Sequence, residues 1–152
     1  MKNDFAPKDP EFQARVEASF AKQGLMTSLG ASLGQIAPGM VEIALPASPS
    51  VSQQHGFIHA GAIAAIADSA AGYAALTLMP AGVGVLTIEF KINLVAPANG
   101  DRIIARGRVV KAGRTLTLAQ SEVTTENATE EKLVGLLTST LMTIEGREGI
   151  AD

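Results

Sequence analysis

Cysteine is missing from this 152-residue chain. Without thiols there is no disulfide, no thiolate zinc site and no cysteine nucleophile. The absence also fits a reducing compartment, so the expected localisation is cytoplasmic. Charge is scarce: 18% of residues are Asp, Glu, Lys or Arg, and the net charge is −3. A chain of that sign lacks the basic field that phosphate backbones demand, which argues against a nucleic-acid partner. The opening residues, MKNDFAPKDPEF, hold no apolar run of the kind a secretory leader needs. Histidine occurs only at His55 and His59, with Gly56 between and no acid nearby. No metal site is expected from that pair.

Apolar residues are plentiful, at 47% of the chain. That excludes disorder and is enough for one domain with a real core. Asp9-Pro10 signals a helix start, with Phe12, Val16 and Phe20 at helical spacing and Gly24 closing the run. This predicts a short amphipathic helix over Pro10–Lys22, flanked by polar Gln13, Arg15 and Ser19. Ser28–Ile36 and Met40–Leu45 read as strands joined by Ala37-Pro38-Gly39. Residues 84–96 alternate, with Leu86, Ile88, Phe90, Ile92 and Leu94 on one face and Thr87, Glu89, Lys91 and Asn93 on the other. Further strands are expected at 102–110, 115–125 and 132–144, in an antiparallel meander. The order defines an α+β domain in which one sheet covers one apolar helix. The expected division is an N-terminal helical segment over 1–27, the main domain over 28–145, and a short tail over 146–152.

That helix is the most informative stretch. Asp68 is the only charged residue between Glu42 and Glu89, set inside the Ala- and Gly-rich run from His59 to Pro80. Taking a carboxylate out of water costs several kcal/mol or more unless it is partnered. A central acid and the lack of flanking aromatic and basic anchors also argue against a membrane span. Gly61, Ala64, Ala65, Ala71, Gly72 and Ala75 share the face of Asp68, to within about 60° at 100° per residue. Ile63, Ile66 and Tyr73 point the other way, toward the presumed sheet. A stripe of small residues admits a neighbouring backbone or a slim ligand. His59, at the helix entrance, lies roughly 13 Å from Asp68 along the axis and faces nearly the opposite way. If entrance and acid act on one atom, two antiparallel copies must supply them, which predicts a symmetric dimer with composite sites.

Gln53-Gln-His-Gly56-Phe-Ile-His59-Ala60-Gly61 followed by Asp68 resembles the motif of the hotdog-fold acyl-CoA thioesterases, in the PaaI-like branch. Gln53 stands where the family has Asn, and Ala60 where it has the first Gly of a pair. The run Val85–Ala98 looks like the family's central strand, and Gly113-Arg114-Thr115-Leu116 like its next hairpin. The resemblance covers about residues 28–144. It implies a hotdog fold, an antiparallel sheet wrapped around one long helix. It further implies hydrolysis of an aryl- or medium-chain acyl-CoA, with coenzyme A as part of the substrate and no separate cofactor.

By the same resemblance, Asp68 is the general base or nucleophile. Backbone N–H groups at Ala60 and Gly61 polarise the carbonyl. Thr87 lines the site, Gln53 helps place water, and His59 fixes the helix-start turn or transfers a proton. The family also commonly pairs its dimers into tetramers. Lys91, Asn93 and Arg114 are candidates for contacts to the coenzyme, since Arg102, Arg106, Arg108, Lys111 and Arg114 give residues 101–114 a basic bias. The same cations equally suit a solvated sheet edge. Two alternatives stay open: a hotdog hydratase or dehydratase using His55 or His59, and a non-catalytic acyl-CoA-binding module.

Overall fold

Asp9 and Pro10 form a turn, and helix α1 runs from Phe12 to Ala21, starting later than the sequence suggests. The computed structural model describes residues 5–152; Met1 to Asp4, where the N-terminal segment and the supposed leaderless stretch begin, lie outside the described residues. Asp9 still serves the helix entrance, its carboxylate accepting the Glu11 N–H at 2.9 Å. Of the residues read as polar flanks of α1, Gln13 is exposed, but Arg15 and Ser19 are among its most enclosed. Ser19 is buried, and the Arg15 side chain is 8% exposed. Arg15 pairs with Asp9 at 3.2 Å and donates to the carbonyl oxygens of Met79, Pro80 and Val83. It thereby ties α1 to the segment that follows the long helix.

Gly24 does not end the helical region. It opens a second helix, α2 (Gly24–Leu29), which stops at Gly30 in the left-handed conformation (φ 79°), the common glycine C-cap. Because α2 occupies the residues expected to begin a strand, β1 starts only at Ser32 and runs to Ala37. It pairs antiparallel with β2 (Met40–Pro46). A single 3-10 turn, Pro49–Val51, leads toward α3, which spans Ala60–Leu76. Four long strands follow: β3 (Gly84–Leu94), β4 (Arg102–Ala112), β5 (Leu116–Glu126) and β6 (Glu131–Ile144).

All neighbours in the six-stranded sheet are antiparallel, and the order is β1-β2-β4-β5-β6-β3. The meander is therefore β4-β5-β6 alone. β3 does not lie beside β4 but pairs with β6 at the sheet margin. The connection between β3 and β4 is too long for a tight hairpin, and it crosses under the start of α3. Ala98 is buried there, and its carbonyl accepts the Ile58 N–H at 3.0 Å.

A bulge changes the faces of β3. Thr87 opposes Leu141 and Glu89 opposes Thr140, leaving Ile88 as the extra residue. An inserted residue of this kind reverses the alternation beyond it. Val85 and Thr87 face the helix side with buried Thr143 and Leu141. Beyond the bulge it is Phe90, Ile92 and Leu94 that oppose inward Ser139, Leu137 and Gly135. The single apolar face expected over Leu86–Leu94 is thus split, and Thr87 shares a face with Phe90 rather than with Lys91.

α3 fills the concave side of the sheet. At Gly107 the helix backbone comes so close that a Cβ would stand 2.2 Å from the Ala70 carbonyl oxygen. Ser121 Oγ donates to the Ala67 carbonyl at 2.7 Å, a polar tether inside an apolar layer. Ile63, Ile66, Ala67, Ala70 and Ala74 pack with Val123, Leu137 and Leu141 in the core. The small-residue stripe divides in two. Ala71, Gly72 and Ala75 are buried, while Gly61 is exposed and Ala64, Ala65 and Asp68 are half-buried. No helix among the described residues is long and apolar enough to cross a membrane.

Candidate active site

Asp68 is held in place from two directions. α3 carries it at mid-length, and the β3 bulge turns Thr87 toward it, so that Thr87 Oγ1 donates to Asp68 Oδ1 at 2.9 Å. Burial raises the Asp68 carboxyl above its ordinary value of 3.8, and the Thr87 hydrogen bond partly offsets this. Desolvation disfavours the charged form and a donated hydrogen bond favours it. The result is an acid of raised proton affinity that opens onto a cavity of about 560 Å³.

That cavity is lined by Asp68 and Thr87 together with residues the sequence reading left out, chiefly Gln23, Tyr73 and Asp152. Tyr73 does not simply face the sheet. Its ring is buried, and its hydroxyl accepts from Gln23 Nε2 at 2.8 Å and bonds to Ser19 Oγ at 3.2 Å. Burial raises the Tyr73 hydroxyl from its ordinary 10.0, with Ser19 and Gln23 easing the shift. A buried tyrosine oxygen needs such partners. The available signals were a lone tyrosine and a serine placed among the apolar positions of α1.

The helix entrance lies in a different place. His59 is the N-cap of α3, and its Nδ1 accepts the Gly61 N–H at 2.8 Å. The Gly61 amide is therefore already engaged. Ala60 is the first helical residue and is exposed, and no non-glycine among the described residues has a positive φ. The alanine at this position thus carries no backbone strain. Gln53 Oε1 accepts the His55 N–H in a tight turn, and the Gln53 N–H donates to the Phe57 carbonyl at 2.9 Å. Gln53, His59, Ala60 and Ile63 line a second cavity of about 550 Å³ with the Leu94–Ala98 segment. Within one chain, then, Asp68 with Thr87 and the group Gln53, His59, Ala60 open onto separate cavities. Gly61 borders a third, smaller one beside α2.

The expected coenzyme contacts are gathered at neither place. Lys91 opposes exposed Thr138 and Asn93 opposes Leu136, on the face away from the helix. Asn93 borders an outer-face cavity with Arg106, Arg108 and Gln120. Arg114 lies exposed in the β4–β5 connection. Two of the five basic residues are committed elsewhere: Arg102 pairs with Glu126 at 2.6 Å, and Arg106 pairs with Glu42, Glu126 and Glu131. Arg108, Lys111 and Arg114 make no ion pair among the described residues.

An antiparallel sheet curved around one long helix, with a half-buried acid at mid-helix, defines a protein of the hotdog class. The chain belongs to the thioesterase superfamily, whose sequence pattern matches residues 55–132. The enzyme class read from the sequence, thioesterase, is that of the family. A thioesterase family protein from Silicibacter pomeroyi is 44% identical; the match covers 88% of this chain and 98% of that one, with a TM-score of 0.86. A point variant of the phenylacetic acid degradation protein PaaI from Thermus thermophilus is 28% identical over 79% of this chain and 98% of its own, with a TM-score of 0.68. The PaaI protein of the E. coli phenylacetic acid degradation operon shares the fold at 19% identity, covering 90% of this chain and 95% of its own, with a TM-score of 0.80.

Proposed function

We propose that this chain hydrolyses the thioester of an aryl- or medium-chain acyl-CoA to the free acid and coenzyme A, in the cytoplasm. The observation that carries this reading is the Asp68 carboxylate, half-buried, hydrogen-bonded by Thr87 and open to a cavity. Asp68 either removes a proton from the attacking water or attacks the carbonyl carbon itself. The helix-start amide of Ala60 receives the oxyanion, where one such donor is typically worth about 3–4 kcal/mol. His59 acts as the cap that orients this turn, and Gln53 stabilises the loop before it.

Because Asp68 and the helix start open onto separate cavities of one chain, the reading needs a second copy, packed so that each subunit's helix entrance meets the other's acid. β3 supports this, since it ends the sheet with one edge unpaired and exposes Ile88, Phe90 and Leu94. Pairing of two such dimers belongs to the same proposal. Lys91, Asn93 and Arg114 then serve the coenzyme across the assembled interface, with Lys91 and Arg114 as cations for its phosphates. A hydratase would need a free imidazole beside the acid; within one chain neither His55 nor His59 lines the Asp68 cavity, and at the helix entrance the Nδ1 of His59 is taken up by the Gly61 N–H.

Incubating the protein with aryl- and straight-chain acyl-CoAs in the presence of a thiol-trapping dye tests the proposal. Release of free thiol that is lost in Asp68→Asn is the expected result. Binding without release would instead identify a non-catalytic module, and a fully active monomer in sedimentation would remove the composite site.

A further inference from the structure

The chain beyond β6 folds back onto the Asp68 cavity. Gly146 (φ 63°) and Gly149 (φ 78°) take the left-handed conformation that side chains seldom adopt. These two turns carry residues 147–152 across the start of β3. The Asp152 N–H donates to the Val83 carbonyl at 3.2 Å. The Asp152 carboxylate is held on both oxygens: Ser19 Oγ donates to Oδ1 at 2.7 Å, and the Val85 N–H donates to Oδ2 at 3.1 Å. Ile150 lies against Gly84, where a Cβ would stand 2.6 Å from its Cγ2 and 3.3 Å from its carbonyl carbon. A serine among apolar residues, a glycine opening a strand and a distant aspartate thus all serve one placement.

Gly149, Ala151 and Asp152 line the cavity that also holds Asp68 and Thr87. We propose that residues 149–152 form a wall of the acyl pocket and set the length of acyl group it admits, a specificity-determining role that rests on the thioesterase reading above. The wall and its neighbours present a carboxylate, the Tyr73 hydroxyl and the Gln23 amide. Methylene groups pressed against such groups gain little from leaving water and displace the water that solvates them. Compact acyl groups that stop short of this wall fit, and long straight chains are refused. Asp152 acts as the latch and Gly84 as the notch that receives Ile150.

Three variants test the wall: removal of residues 149–152, Asp152→Ala, and Gly84→Ala. For each, kcat/KM is measured on butanoyl-CoA and dodecanoyl-CoA, and affinity for the matching non-hydrolysable S-alkyl-CoA thioethers is measured by calorimetry. The expected result is a rise of roughly tenfold or more in the long-to-short ratio, in turnover and in binding alike, the scale on which a pocket discriminates small differences in apolar size. A ratio equal to the parental one in all folded variants overturns the wall while leaving the thioesterase reading intact. Should the shortened chain fail to fold by circular dichroism, Asp152→Ala and Gly84→Ala decide alone. A parental protein that binds the thioethers without hydrolysing substrate removes the thioesterase reading, and the binding ratio still judges the wall. A parental protein that binds neither thioether removes both.

Discussion

Thr87 donates to Asp68 across 2.9 Å only because the extra residue Ile88 reverses the facing of β3 just beyond it. A regular strand could not present both Thr87 and Phe90 to the helix side, since neighbours three apart point to opposite faces. The bulge therefore lets one strand serve the acid at one end and an apolar surface at the other. Bulges that re-aim a side chain beside a reactive group are a recurring device.

Replacing Asp68 with Asn should abolish most turnover, by roughly 10²–10⁴-fold if the carboxylate is the proton acceptor. The fold should persist, because the amide oxygen can still accept from Thr87. Stability should behave in a telling way. A carboxyl whose folded-state pKa is raised stabilises the fold below its ordinary value of 3.8, and that benefit is lost as pH rises through the folded-state value. Asn carries no such penalty, so the variant should melt higher than the parent at neutral pH and lose its advantage in acid. Thermal melts at several pH values check both signs.

With Asp68 as the proposed base, the rate itself should fall as pH is lowered through its raised value, because protonation would remove that base. Thr87→Val deletes the hydrogen bond that favours the charged form. The acidic limb of the pH–rate profile should then move to higher pH, with turnover reduced at neutrality. A limb that stays put in Thr87→Val would count against the contact as a tuner of Asp68.

Arg15→Ala should destabilise the protein by about 3–5 kcal/mol, the usual cost of stripping one partner from an enclosed ion pair. Asp9 would be left without its cation and the carbonyls of Met79 and Pro80 without the Arg15 donor, while the Val83 carbonyl would keep only the Asp152 N–H. Adding Asp9→Ala should cost less than that substitution alone would, because the charges vanish together. Chemical denaturation of the two single variants and the double variant measures the coupling.

At Gly107 even a methyl group has no room, since it would meet the Ala70 carbonyl oxygen at 2.2 Å. Gly107→Ala should lift α3 from the sheet, at a cost of about 1–3 kcal/mol or more. It should also disturb Asp68, which rides on the same helix. Gly24→Ala is the matched control: a Cβ there meets nothing within 4 Å, so helix propensity alone predicts a neutral or slightly stabilising effect.

The long helix could be read directly from the chain because its seventeen residues include nine alanines and no proline, which allows little else. The strands from Gly84 onward were equally plain, set off by proline and glycine turns before β4 and β5 and by the polar turn at Asn127 before β6. Strand order was not, because β3 finds β6 rather than β4 through contacts distant in sequence, and local pattern carries no record of them. The bulge at Ile88 was hidden for a related reason: apolar and polar residues keep alternating straight through it, so only the register with β6 reveals the reversal. Gly24 reads as a stop signal, yet a glycine can also open a helix, and α2 was missed. At Asp68 the residue type and setting sufficed to single out a candidate, which lies half-buried beside Thr87. Its surroundings did not, because a helical wheel gives the direction of Cβ and not how far the Tyr73 hydroxyl reaches. The glycine-rich stretch after β6 has no periodicity to interpret, and its docking depends on Ser19 and Gly84 far upstream.

Under the proposed pairing of two copies, the unpaired margin at β3 ties folding to dilution. A bare rank of amides and carbonyls, with oily side chains beside it, leaves the lone chain short of the contacts a second copy would supply. Mass action then makes melting temperature climb with protein concentration. A melting curve that ignores a hundredfold dilution would mean that the lone chain is already self-sufficient.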